Sequence, residues 1–246
     1  MDRVLIWDLP TRISHWLVAG GFVAAATISL VLGKDSPFFP YHAILGLAIV
    51  LIVCLRIIWG VVGTRYARFV TFIYGPGAVA EYTKGVFVGG GKRYIGHNPG
   101  SAVAIFALLA LLLAMGITGV MMGQGNESAK DLHEILAWIT VAVAVAHVLG
   151  VLLHSIRHRE NITASMIHGK KHAEPSDAIP SARPIIAAIL LVIAAAWTVA
   201  LFRNYNPAAQ TTTLPIIGTM LHLGENDVAG EKDSGGDRGE MDADDD

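Results

Sequence analysis

Four of the ten histidines in this chain fall at the depth of long apolar stretches, where an imidazole needs a partner. Two of them, His133 and His147, lie in residues 132–171, the segment around which the rest of the chain is read as arranged. It opens LHEILAWITVAVAVAHVLG and closes on a basic cluster. Fourteen residues at about 100° each return to within roughly 40° of the starting direction, so both rings project from one helix face, about 21 Å apart along the axis. His15 opens the first apolar run and His42 the second. A neutral imidazole is a metal ligand, and two on one stripe at opposite depths call for two partners stacked across a bilayer.

The elements that must hold these rings are membrane helices. Hydrophobic residues make up 53% of the chain and charged residues 15%, the balance of an integral membrane protein. Apolar runs long enough to cross a bilayer occupy residues 14–32, 42–62, 101–123 and 133–154, with a fifth over 184–202. The first has no small-residue cleavage site after it and is read as a retained span. A polar connection over 63–100 carries Arg65, Arg68, Lys84, Lys92, Arg93 and the run Gly89, Gly90, Gly91, with a short surface helix expected over 78–85. Residues 225–246 are strongly acidic and expected to be disordered. The fold class is therefore an all-α membrane bundle: a four-helix unit over 1–172, a linker and fifth helix over 173–204, and an extramembrane segment with an acidic tail over 205–246.

Cys54 is the only cysteine, which excludes an intramolecular disulfide, a four-cysteine iron–sulfur site and covalent CxxCH haem attachment. Twelve lysines and arginines fall on the side of the N-terminus and of the 63–100 and 155–183 connections, five on the other. That asymmetry places the N-terminus in the cytoplasm and the tail outside. On this topology His15 and His147 both lie toward the inner leaflet, His42 and His133 toward the outer. Two imidazole pairs on facing helices suit two bis-histidine haems b, each iron taking one nitrogen from either side.

Arg56 lies fourteen residues after His42 and on the same face. With no acidic partner along its span, it is expected to meet a propionate of the inner haem; the plainer alternative is that it snorkels to the cytoplasmic interface. Gly116 and Gly119 are read as helix-packing positions ahead of haem contacts. Trp7, Trp16, Trp59 and Trp138 are read as interface anchors, and His154, His158, His168, His172 and His222 as solvated or interfacial.

Several stretches resemble the bacterial cytochrome b561 and nickel–iron hydrogenase cytochrome b family: RISHW in the first span, YHAILG opening the second, LRIIWGVVGTRYARF leaving it, RYIGHNP before the third, and LHE, AH and HRENITASMIHGK in and after the fourth. The resemblance covers about residues 4–171 and implies a four-helix membrane protein holding two haems b. It implies that His15 and His147 ligate one iron and His42 and His133 the other, in agreement with the pairing by depth. The fifth span and tail depart from that pattern, and His97, within GHNP, receives no chemistry from it.

The expected function is electron transfer across the bacterial inner membrane. The resemblance implies a redox partner protein, of hydrogenase, dehydrogenase or c-type cytochrome kind, and the quinone pool, with the chain a subunit rather than a stand-alone enzyme. No nucleic-acid partner is expected; an oligomer is compatible. One rival is a self-contained quinone oxidoreductase acting on a small redox substrate such as superoxide. A rival of another class is a transition-metal transporter using the same histidines, which requires further ligands along its path.

Overall fold

Where the helices begin follows from local hydrogen bonding. A short strand, β1 (Asp2–Leu5), runs into Asp8, whose side chain accepts from the Thr11 backbone N–H at 2.9 Å with Pro10 in the first turn. This cap starts α1 (Leu9–Thr27), which widens into a π-helical turn at Ile28–Leu32. α2 (Phe39–Val62) follows, then a 3₁₀ turn at Phe69–Thr71 and α3 (Pro76–Val88). Asn98 repeats the cap, accepting from Ser101 N–H at 2.8 Å to start α4 (Pro99–Gly123). α5 (Ala129–His158), α6 (Ile162–His168), β2 (Lys170–Ala173), α7 (Pro184–Arg203), β3 (Thr211–Thr213) and β4 (Met220–His222) complete the order. The structure, a computed structural model, describes residues 2–88 and 92–224. The glycine run at 89–91 and the acidic tail at 225–246 lie outside the described residues.

Among the described residues five helices are long and apolar enough to cross a membrane: α1 with its π turn, α2, α4, α5 and α7. The surface helix over 78–85 is present as the longer α3. The centre of the packing is not the segment 132–171. α2 holds it, packing on α1, α4 and α7 and burying Ile44, Ala48, Ile49, Ile52, Val53, Arg56 and Gly60. α5 packs chiefly along α4. The reason is visible at Gly116, where an added Cβ would stand 2.2 Å from Val50 Cγ2, so α4 and α2 touch backbone to side chain. α7 lies against α2 and α1.

Both ends carry strands that the apolar pattern did not reveal. β1 pairs antiparallel with β2, so the N-terminus and the segment after α5 lie at one end of the bundle. At the opposite end β3 and β4 pair, and Leu214, Leu221 and Leu223 pack with Ile44 of α2 and Leu201 of α7. The part of 205–224 expected only as an extramembrane segment is thus a folded cap. Strands of three or four residues are too short to carry a hydropathy signal of their own.

Candidate haem-binding site

At the end away from the N-terminus, His42 of α2 and His133 of α5 face one another with ring centroids 6.4 Å apart and planes at 78°. His42 Nδ1 lies 2.9 Å from the carbonyl oxygen of Ala25. A carbonyl only accepts, so Nδ1 carries the hydrogen and Nε2 keeps its lone pair. His133 Nδ1 lies 2.8 Å from Thr118 Oγ1, and that hydroxyl is itself 3.0 and 3.1 Å from the carbonyls of Ala114 and Met115. With its own hydrogen on either carbonyl this hydroxyl accepts from His133 Nδ1–H, and Nε2 is then the base here as well. This is the outer hydrogen bonding that orients imidazole ligands of metals. Two metal–nitrogen bonds of about 2 Å, with about 1 Å from nitrogen to ring centre on each side, put such centroids about 6 Å apart. Gly119 keeps the space beside His133 open: a Cβ there would meet the ring's Cε1 at 3.6 Å, which makes it a neighbour of this site, whereas Gly116 packs helices.

At the other end, His15 of α1 stands within electrostatic reach of His147 of α5 and of Arg56. His15 Nδ1 and Arg56 Nη1 are both buried with no hydrogen-bond partner. Arg56 is 8% exposed, lies over the Phe69 ring at 5.2 Å and donates through Nη2 to the Ala67 carbonyl at 3.3 Å, so its guanidinium turns into the protein rather than out to solvent. Asp8 offsets part of its charge. That carboxylate is 1% exposed and accepts from Thr11 N–H, Trp59 Nε1 at 3.1 Å and Thr64 Oγ1. It stands one turn outside the apolar run, where a span-by-span search for acids did not reach.

Three residues depart from their expected roles. Trp7 is 3% exposed, with Nε1 donating to Ser165 Oγ at 3.1 Å; it is a core residue of the strand-bearing end, not an interface anchor. Trp59 is tied to Asp8, whereas Trp16 and Trp138 are exposed as anchors would be. His154 is 4% exposed and takes a hydrogen bond at Nδ1 from Tyr82 of α3 at 2.9 Å. It is not solvated, because α3 folds back to cover it. The same covering pushes the Tyr82 hydroxyl up to about 12. The residue the sequence reading left without chemistry, His97, stands among the inner groups: its ring packs 4.7 Å from Trp7 and 4.2 Å from Phe72, and the charges of Arg56 and Lys171 reach it. Burial first, then those two cations, hold it neutral, with its titration pushed down to about 3. Its signal was the GHNP motif itself.

A family model described as prokaryotic cytochrome b561 matches residues 6–169. The chain belongs to that family. It is a multi-pass membrane protein that carries electrons through haem b, and the paired, oriented imidazoles fit that group. Among curated relatives it is 25% identical over 215 residues to a probable Ni/Fe-hydrogenase B-type cytochrome subunit of Rhizobium leguminosarum bv. viciae, spanning 69% of this chain and 89% of the relative. A protein of the same description from Rhodobacter capsulatus and a probable Ni/Fe-hydrogenase 1 B-type cytochrome subunit of Escherichia coli strain K12 are 24% and 22% identical, spanning 68% and 67% of this chain and 81% and 88% of theirs. No solved structure matches the chain significantly. Among the described residues no group of three or more His, Cys, Asp or Glu side chains is arranged to hold a metal ion.

Proposed function

We propose that this b561-family chain carries two haems b at two depths and passes electrons across the bacterial inner membrane between a hydrogenase-type partner and the quinone pool. The observation that carries the reading is the pair of imidazole sets at opposite ends of one bundle, each drawing one ring from α5: His133 with His42, His147 with His15. The residues 1–172 form the dihaem unit, and α7 with its cap supports it from outside. His42 and His133 are held with their Nε2 lone pairs available by Ala25 and Thr118. Bound there, each haem supplies a one-electron iron couple, while the protein sets its potential through ligands, burial and nearby charge.

The hydrogenase-type partner is read from the hydrogenase-subunit descriptions of the relatives, and the quinone from the family resemblance alone. The inner membrane and a cytoplasmic N-terminus follow from the basic residues gathered at the β1–β2 end. At that end a cavity of about 440 Å³ lined by Tyr66, Phe72, Tyr74, Tyr94 and His97 has the aromatic character of a quinone-ring site. The test is haem counted per polypeptide in the purified protein, with quinone reduction followed in liposomes after adding reduced hydrogenase. Two haems and hydrogenase-dependent reduction are expected. One haem, or none, would end the dihaem reading, and quinone reduction that needs no partner would replace the subunit role with a stand-alone one.

A further inference from the structure

Native proteins rarely leave buried polar atoms unpaired, so each one asks what is missing. Besides His15 Nδ1, Arg56 Nη1 and His97 Nδ1 are sealed from solvent without a partner, and they lie at one end of the bundle within electrostatic reach of each other. Asp8 does not answer the need, because its oxygens serve Thr11, Trp59 and Thr64 and Nη1 is still unpaired. His97 is also held with unusual care. Its ring lies between Trp7 and Phe72, its carbonyl accepts from the Tyr74 hydroxyl at 2.8 Å, and the next residue, Asn98, caps α4. Trp7 is in turn fixed by Ser165.

We infer that His97 and Arg56 together bind a carboxylate, and that its source is a propionate of the haem held by His15 and His147. The inference rests on the dihaem reading above. Arg56 Nη1 is a donor, and in the tautomer with its hydrogen on Nδ1, the one this assignment requires, His97 is a donor too. Only an acceptor satisfies both, and only an anion also balances the cation. His97 is thereby a binding residue for the cofactor's edge, separate from the axial ligands. Arg56 supplies charge; His97, neutral, supplies direction. The same chemistry would accept a free carboxylate or an inorganic anion, so the test separates the sources.

The experiment compares the full-length protein with His97→Leu and His97→Gln, reading each haem's midpoint by redox titration and the propionate bending modes by resonance Raman. Haem-stripped protein is then reloaded with haem b or with its dimethyl ester, whose propionates cannot act as anions. Loss of the donor leaves the propionate charge less balanced and favours the ferric form. His97→Leu should lower the inner midpoint by a tenfold change in the redox equilibrium, about 59 mV for one electron, and leave the outer one unmoved. His97→Gln should recover part of the difference. With the diester, wild type and His97→Leu should coincide. An unchanged inner midpoint and unchanged propionate modes in His97→Leu would overturn the assignment. So would a difference that persists with the diester, since His97 would then act through the fold or through a free anion. If the leucine variant fails to assemble, the glutamine variant and the wild-type comparison of haem with diester decide in its place. Wild-type protein with no inner haem would remove the dihaem reading and this inference with it.

Discussion

Replacing Arg56 by leucine should lower the midpoint potential of the inner haem and move the outer one much less. The guanidinium is buried and faces the His15–His147 end. For a unit charge about 10 Å from an iron, at an effective dielectric of about 20, the interaction is roughly 1.7 kcal/mol, and it favours the less positive ferrous state. At about 59 mV per tenfold for one electron, its loss corresponds to about 70 mV downward. Asp8 stands close enough to cancel part of this, so a fall of roughly 40 to 70 mV is expected. His42 is fourteen residues away on the same helix, about 21 Å along the axis, and the outer haem should shift by half as much or less. The assay is a potentiometric titration of purified protein resolved into two components, with Arg56→Lys as the charge-retaining control. Equal shifts at both haems, or no shift at either, would refute the placement of this charge at the inner site. A lysine variant behaving like leucine would show that packing over Phe69, not charge, sets the potential.

His147→Ala should halve the haem content and spare the outer site, because the two ring pairs share a helix but not a ligand; a pyridine haemochrome assay per polypeptide reads this, and loss of neither haem would remove His147 from the ligand set. Thr118→Val keeps the side-chain shape but takes away the acceptor of the His133 Nδ1–H bond. It should weaken retention at the outer site alone by about 10- to 100-fold, measured by haem transfer to an apoglobin scavenger. Gly116→Ala puts a methyl 2.2 Å from Val50 Cγ2 and should destabilise the bundle by roughly 1 to 3 kcal/mol in thermal unfolding. Gly150→Ala, with open space around it, serves as the control and should not lose stability.

The five membrane-length helices were legible because each is a long uninterrupted apolar run, and their observed bounds differ from the expected ones mainly by the first turn, where polar caps such as Asp8 and Asn98 are part of the helix start but not of the hydropathy. That His42 and His133 stand at one height was legible for the same reason: a long helix converts sequence distance into height. Lateral packing was not. Which helix sits in the middle depends on close approaches such as Gly116 to Val50 and Gly60 to Phe69, and a glycine reads the same in sequence whether its face meets a helix, a ligand or lipid. Tertiary polar contacts between segments far apart in the chain were equally silent. Trp7 looks like any tryptophan near a span end until Ser165, 158 residues later, accepts its N–H, and His154 looks solvated until Tyr82 reaches it.

These two kinds of information meet in α5. Its height pattern assigns one imidazole to each end of the bundle, and its contacts run chiefly along α4. At the outer end His42 and His133 face each other with ring centres 6.4 Å apart, a separation compatible with two bonds to one metal. At the inner end a buried cation, a buried imidazole nitrogen from the loop before α4 and another from α1 each lack a partner. Buried polar groups are ordinarily paired, so on the proposed dihaem reading the vertical pattern of histidines and the lateral pattern of unpaired atoms are two consequences of one arrangement around the cofactors.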